Sequence, residues 1–159
     1  MENLVLVKGS SINEARKEIE KNAKSGKKIV LAAGDDEVNR KMLESAKVDY
    51  ILGLENGIRK DKLKQRDSGF NQVLAKIAHE NNVALGIDFS EISKLKDKEF
   101  SMYAGRLMQN IKLCNKYKVK MVLFNYSGKN RHDLMAFLLS LGMSTIMAKY
   151  AVENRVGLG

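Results

Sequence analysis

The sequence predicts an α/β protein built on a parallel sheet. Short apolar runs rich in β-branched residues recur along the chain, at 4–7, 29–33, 48–52, 83–87 and 119–124. The longer stretches between these runs carry apolar residues at helical spacing. Near-continuous apolar strands that alternate with amphipathic helices are typical of a sheet buried on both faces and joined by right-handed crossovers.

Each helix is predicted from one apolar face and a local boundary signal. Ser25-Gly26 ends the first helix, Gly34-Asp35-Asp36 opens the second with an acidic cap, and Asp67-Ser68-Gly69 precedes the third. The apolar faces are formed by Ile12, Ala15 and Ile19; by Phe70, Val73, Leu74, Ile77 and Ala78; by Phe100, Tyr103, Leu107, Ile111 and Cys114; by Leu134, Phe137, Leu138 and Leu141 before Gly142; and by Ile146, Met147 and Tyr150. Five strands are fewer than the eight of a closed β/α barrel. We therefore expect one domain over 1–159 with an open sheet, or a barrel shortened on its N-terminal side.

Size and composition exclude several classes of protein. The 159 residues, with 44% hydrophobic and 30% charged side chains, are typical of one folded domain rather than of a disordered tail. No apolar run approaches a membrane span, and 1–10 lacks the architecture of a signal peptide, so we expect a cytoplasmic protein. The single cysteine, Cys114, rules out an internal disulfide and a zinc site built on cysteines, and is expected to be a buried thiol.

The chain is strongly basic. Its 28 Lys and Arg residues against 19 Asp and Glu residues give 28 − 19 = +9, with a pI near 9.6. Such an excess favours a polyanionic partner, because neutralising phosphates supplies affinity that does not depend on sequence. The alternative is a lysine-rich surface that serves only solubility.

Three segments could carry this affinity. The loop 55–69 concentrates Arg59, Lys60, Lys62, Lys64 and Arg66 between a strand and a helix, although it could be an ordinary solvated connection. Projecting 100–117 as a helix places Arg106, Gln109, Lys112 and Lys116 opposite the apolar face, as a basic stripe or merely as a polar surface. The turn 128–133 contains Lys129 and Arg131 before a helix and could hold an anion, but it lacks the residue order of a P-loop.

Catalysis would place its residues at the carboxyl ends of strands. The candidates there are Asp35, Asp36, Glu55, Asp88, Asn125 and, nearby, His132. Asp88 is the most suggestive, as a general base or metal ligand, but it could equally cap the turn at 90–92. With His79 and His132 as the only histidines, a histidine-rich metal centre is excluded. His79, late in a helix, favours a dipole contact.

Two segments carry a family resemblance. The run KQRDSGFNQVLAK at 64–76, continuing to NVALG at 82–86, resembles the archaeal ribonuclease P protein component 3 family. The same resemblance continues through MQNIKLCNKYKV at 108–119, HDL at 132–134 and LGM at 141–143. It is strong over 48–143 and is limited to a βα pattern before that.

The resemblance implies both a fold and a role. It implies a β/α barrel related to the polymerase-and-histidinol-phosphatase barrels, and a helper protein for an RNA that cleaves precursor tRNA at the 5′ end with its own Mg²⁺. It also implies a partner, the RRM-like protein subunit, in a heterotetramer with two copies of each. The family signature falls on Asp67, Gly69, Asn71 and Asp133. Residues implied to face RNA or a partner, together with the basic residues found above, are Lys62, Lys64, Arg66, Arg106, Lys112, Lys116, Lys129 and Arg131.

Two departures from the family pattern bear on function. His132 stands where an arginine commonly precedes Asp-Leu, and the His-x-His start of the parent metalloenzymes is absent. We therefore expect a ribonuclease P subunit without a catalytic residue, metal or cofactor of its own. The alternatives are a small metal-dependent phosphoesterase using Asp88, Glu55 and His132, and a protein-interaction scaffold whose charge only maintains solubility.

Overall fold

The computed structural model describes residues 3–56, 59–126 and 128–158. The chain alternates strands and helices throughout, in the order β1 Leu4–Lys8, α1 Ile12–Lys24, β2 Lys28–Ala32, α2 Asp36–Ser45, β3 Tyr50–Leu52, a 3-10 turn Leu54–Asn56, α3 Gln72–Glu80, β4 Ala84–Asp88, α4 Phe89–Ile92, α5 Asp97–Tyr117, β5 Met121–Phe124, α6 Arg131–Ser140 and α7 Thr145–Glu153. This order confirms the predicted α/β class.

The five strands form one parallel sheet in the order in which they occur in the chain, β1-β2-β3-β4-β5. A doubly wound sheet would reverse its strand order at a switch point, whereas a β/α barrel keeps neighbours in sequence. The arrangement is therefore barrel-like. Within the described residues the sheet is open, with β1 at one edge and β5 at the other, where Val156 adds a short parallel bridge to Phe124.

The two faces of the sheet bury different residues because side chains alternate along each strand. One face meets the helices in the main core, where Ile29, Leu31 and Ile51 are fully buried against α1 and α2. The opposite face carries a smaller cluster formed by Val30, Leu52, Ala84, Val122, Phe124 and Val156. Here Phe124 meets Tyr50 edge-on at 5.4 Å between ring centroids.

The predicted helix boundaries have the predicted local causes. Asp35 caps α2 by accepting from the Val38 N–H, and Ser25 follows the last residue of α1. Asp88 accepts from the Ser90 N–H and hydroxyl. It therefore caps α4, which agrees with the alternative prediction that Asp88 caps the turn at 90–92. Cys114 is a fully buried thiol, as expected.

Three residues assigned to apolar faces are in fact exposed. They are Val73, Phe100 and Ile146, with Ile146 83% exposed. Each lies at or near the first turn of its helix, where the helix has not yet packed under its neighbours. Within the described residues, no helix combines the length and the apolarity needed to cross a membrane.

Candidate nucleic-acid interface

Arg106 organises the long loop that follows β3. Its Nε donates to Asp61 at 2.9 Å, its Nη1 to the Glu55 carbonyl at 3.2 Å, and its Nη2 to the Arg59 carbonyl at 2.6 Å. The side chain is only 3% exposed. A guanidinium carries its donors in a rigid planar fork, so one residue of α5 fixes three points along the loop.

Asp61 links this interior arginine to a surface arginine. Its second oxygen accepts from Arg66 Nη1 at 2.9 Å, and its first also accepts from the Asp67 N–H at 2.8 Å. Partial burial acts to raise the pKa of Asp61, but the hydrogen bonds from Arg66, the Asp67 backbone and Arg106 outweigh it and lower the pKa to about 2. Asp61 is therefore a carboxylate throughout the physiological range.

A second polar chain runs beneath the loop. Ser68 Oγ donates to Asn110 Oδ1 at 2.6 Å, and Asn110 Nδ2 donates to Glu55 Oε1 at 3.0 Å. Glu55 is 3% exposed, and its Oε2 has no hydrogen-bond partner among the residues that the structure describes. Burial raises the pKa of this carboxyl, opposed by its backbone hydrogen bond, by Asn110 and by the charge of Arg106.

The family-signature residues shape the same loop. Asp67 accepts from the Gly69 N–H at 2.9 Å and from Arg59 Nη1 at 3.3 Å. Gly69 has φ +83°, a left-handed conformation that glycine adopts without strain. Asn71 then caps α3 by accepting from the Val73 and Leu74 N–H groups. In this structure the three residues hold the loop and begin the helix.

The expectation that Arg106 belongs to an exposed basic stripe is wrong. The helical projection placed it on the polar side of α5, but the loop 59–67 folds over that side and Asp61 pairs with it. The loop is also less basic than its sequence indicates, because Arg59 pairs with Asp36 and Asp67, and Arg66 with Asp61. Gly57 and Ile58, within the predicted 55–69 loop, lie outside the described residues.

The remaining cations of this region point outward. Lys62, Lys64, Lys112 and Lys116 are exposed, and Arg66 remains 43% exposed despite its ion pair. Lys62 lies 3.9 Å from Asp67, a distant pair. Lys112 and Lys116, four residues apart on α5, take part in none of the salt bridges found in the described parts of the chain.

An aromatic ring lies among these lysines. Tyr117, the last residue of α5, has Lys116 Nζ at 5.4 Å and Lys76 Nζ at 5.9 Å from its ring centroid. Its hydroxyl lies 3.3 Å from Gln72 on α3. We call Arg66, Lys76, Lys112, Lys116 and Tyr117 the α3–α5 basic face. The sequence did not indicate the contact between Lys76 and Tyr117, because residues on two different helices are not related by a helical repeat.

The turn before α6 is organised by its own side chains. Asn130 Oδ1 caps the helix by accepting from the Asp133 N–H at 2.8 Å, and its amide donates to the Asp133 carboxylate at 2.8 Å. Arg131 pairs with Glu153 at 3.0 Å, whereas Lys129 is exposed. The side chain of Asn130 already accepts from an N–H group in the first turn of α6 and donates to Asp133. The structure therefore gives little support to an anion site at this turn.

The residues of the phosphoesterase hypothesis do not lie together as a site. Asp88 is occupied by Ser90 and by the Asn125 amide, Glu55 is buried, and His132 is exposed in the first turn of α6. Across the described ranges, no three His, Cys, Asp or Glu side chains are grouped so that they could hold a metal ion. His79 Nδ1 instead contacts the Lys118 carbonyl at 3.2 Å, near the end of α5.

A cleft of about 470 Å³ opens where β2 and β3 end. It is lined by Ala33, Gly34, Asp35, Asn39, Gly53, Leu54, Asn56, Arg59 and Ser68. Several polar groups there already have partners: Asn39 bonds both backbone groups of Gly34, and Arg59 pairs with carboxylates. Of the candidate catalytic residues, Asp35 lines this cleft, where it caps α2 by accepting from the Val38 N–H, whereas Glu55, Asp88 and His132 do not line it.

The fold and these side chains together define a class of protein. It is a β/α protein whose parallel strands lie in sequence order. Polar side chains near the carboxyl ends of its strands hold a long loop, and exposed lysines lie on the neighbouring helices α3 and α5. Comparison with known proteins finds similarity to one family of such proteins.

The chain is similar to ribonuclease P protein component 3 of several archaea. It is 31% identical to that of Methanosarcina mazei over 145 residues, or 82% of this chain and 57% of the relative. For Methanocaldococcus jannaschii the values are 28% over 155 residues, or 94% and 63%, and for Methanococcus maripaludis C7 they are 28% over 131 residues, or 79% and 53%. No protein-family model matches the chain.

A solved structure agrees with the sequence comparison. A chain in the cryo-EM structure of archaeal ribonuclease P with mature tRNA superposes with a TM-score of 0.76 at 27% identity, covering 95% of this chain and 64% of that one. The resemblance to the archaeal ribonuclease P protein component 3 family is thus confirmed. The chain spans between about half and two thirds of the length of these relatives.

Proposed function

We propose that this chain is a non-catalytic, RNA-binding protein subunit of ribonuclease P, which assists the RNA subunit in removing the 5′ leader of precursor tRNA. The similarity to relatives of that name, and to a chain in a particle that contains tRNA, supports this proposal. In this role the hydrolytic chemistry belongs to the RNA and its Mg²⁺, and the protein acts by binding.

The α3–α5 basic face carries the proposal. Lys76, Lys112 and Lys116 are exposed and take part in no salt bridge of the described ranges, while Arg59 and the buried Arg106 are held by carboxylates. Unpaired ammonium groups can replace the counterions of a phosphate backbone, which gives affinity that falls steeply with salt. A tyrosine flanked by lysines adds a flat surface on which an unpaired base can stack.

The partners follow from the same proposal. The chain is expected to join ribonuclease P RNA and an RRM-like protein subunit, as a heterotetramer with two copies of each, in the cytoplasm. Lys62, Lys64, Lys129 and Arg131 are further candidates for contacts with RNA or with that subunit, because all four are exposed. The chain is expected to carry no cofactor of its own.

Reconstitution tests the function. Adding the chain to an archaeal ribonuclease P RNA and the RRM-like subunit should raise cleavage of precursor tRNA at moderate Mg²⁺, whereas the chain alone with Mg²⁺ or Mn²⁺ should not hydrolyse a phosphate ester. Failure to stimulate cleavage contradicts the proposal. Hydrolysis by the chain alone supports the phosphoesterase alternative instead.

Charge reversal tests the face. Lys112→Glu with Lys116→Glu should weaken assembly and make its salt dependence shallower, because fewer phosphates are neutralised. The matched control is Lys17→Glu with Lys21→Glu, which reverses two exposed lysines at the same spacing on α1. Equal loss in both pairs would mean that total charge, and not this face, governs binding.

A further inference from the structure

We propose that a groove beside α5 is a binding site for the RNA phosphodiester backbone, with Gly105 as the residue that positions its arginine. The proposal rests on the function proposed above and assigns it a location. The groove has a volume of about 460 Å³ and is lined by Arg66, Gly105, Met108, Gln109, Ile111, Lys112, Asn115, Leu141 and Gly142. It continues the basic face toward the turn at 141–142.

The lining groups follow from helical spacing. Gly105, Met108, Gln109 and Lys112 recur at i, i+3, i+4 and i+7, which places them along one side of α5. From Gly105 to Asn115 this side is about 15 Å long at 1.5 Å per residue. Met108, 47% exposed, gives the groove an apolar floor against which a ribose can pack.

The polar groups of the groove suit an anion. Arg66 and Lys112 supply charge, and the amides of Gln109 and Asn115 supply neutral donors. None of the residues that line the groove is acidic. Asp61 is 13% exposed and pairs with both Arg66 and Arg106. One carboxylate and two guanidinium groups leave a net charge of +1 on these three side chains.

Gly105 explains how Arg66 reaches this position. A methyl group at residue 105 would meet Arg66 Nε at 2.9 Å and Arg66 Cγ at 3.0 Å, because the arginine lies flat across the helix there. Glycine within a helix is unfavourable relative to alanine. The structure therefore has a poor helix former at a point where a side chain would displace the arginine.

Within the test, Gly105→Ala changes the position of Arg66 without changing the charge of the protein. Gly105→Ala, Arg66→Ala, the double variant and Lys112→Ala are compared in binding to a transcript of archaeal ribonuclease P RNA over a salt series. Lys98→Ala is the matched control, since Lys98 is an exposed lysine of α5 that does not line the groove. Thermal melts confirm that each variant is folded.

We expect Gly105→Ala and Arg66→Ala each to weaken RNA binding by about tenfold, the value of one charge-assisted contact. The double variant should bind as Arg66→Ala does, because both changes remove the same contact. Gly105→Ala should also melt at a temperature equal to or above that of the unchanged chain. Lys98→Ala should bind normally.

Two outcomes overturn the proposal, and they are separable from failure of the function. If the chain binds the transcript with steep salt dependence but Gly105→Ala, Arg66→Ala and Lys112→Ala all bind normally, RNA lies elsewhere. If these variants keep RNA affinity but no longer join the RRM-like subunit, the groove receives protein. If the unchanged chain shows no salt-dependent RNA affinity, the proposed function fails first. Should Gly105→Ala not fold, Arg66→Ala and Lys112→Ala still decide.

Discussion

Replacing Arg106 by lysine separates a structural role from a role at the RNA surface. The change keeps the positive charge but exchanges a planar fork for a single ammonium group. That group cannot reach Asp61, the Glu55 carbonyl and the Arg59 carbonyl together, although the arginine now bonds all three at 2.6 to 3.2 Å. The loop after β3 should therefore lose one or two of its hydrogen bonds to α5, while the net charge of the protein stays constant.

The magnitude follows from the bonds lost. A hydrogen bond to a charged group contributes about 1.5 to 3 kcal/mol, so losing one or two of them should cost roughly 3 kcal/mol of unfolding free energy. For a chain of this size that corresponds to a drop in Tm of roughly 6 to 12 °C. The matched control is Lys112→Arg on the exposed side of the same helix, expected to change stability by less than about 0.5 kcal/mol.

Urea unfolding followed by far-UV circular dichroism measures both variants, because the chain has no tryptophan to report by fluorescence. The midpoint for Arg106→Lys should fall, with little change in slope. An unchanged midpoint combined with weaker RNA binding would refute the reasoning. It would show that Arg106 acts at the surface, as the helical projection first indicated.

Three further predictions concern the same loop. Glu55→Gln should raise the unfolding free energy at pH 8. The pKa of Glu55 in the folded chain lies above the ordinary value of 4.5, so the stability of the wild type falls as the pH rises through the folded pKa. A variant whose stability depends on pH as strongly as that of the wild type would contradict this prediction. Asp61 has a folded pKa of about 2 against an ordinary 3.8, so it contributes roughly 2 kcal/mol above pH 4 that is lost as pH falls toward 2. When unfolding free energy is measured as the pH falls from 4 to 2, Asp61→Asn should not show this loss. An equal loss in both proteins would show that Asp61 is not its source. Asn71→Ala should cost about 1 kcal/mol through loss of the α3 cap and leave RNA affinity intact, and weaker RNA binding at unchanged Tm would show that Asn71 contacts RNA.

The sequence predicts the sheet well because its signals are local. The apolar runs correspond to all five strands, and the residues that cap α2 and α3 lie where short polar segments interrupt the pattern. The order of the strands does not follow from this alternation, since a doubly wound sheet has the same alternation but reverses its strand order at a switch point. Exposure in the first turn of a helix, as at Ile146, depends on packing and is not encoded by spacing.

The polar network is harder to predict because it joins distant parts of the chain. Arg106 lies three residues after Tyr103 and four before Asn110, and all three are buried on α5. That spacing was a usable signal of a buried polar pair beside the apolar stripe, and the helical projection overlooked it. Its partner Asp61 is 45 residues away in a loop without periodicity, so the pairing itself could not be read from the pattern.

The sequential order of the strands makes the architecture additive. In the described part of the chain, each strand pairs with the strands that flank it in sequence, so β/α units can be gained or lost at the β1 or β5 margin without changing any existing pair. A protein built this way can change in length at those margins while the strand pairs that it keeps stay the same. A β/α unit added or removed at either margin would therefore leave the packing of α3 against α5, and the α3–α5 basic face, undisturbed.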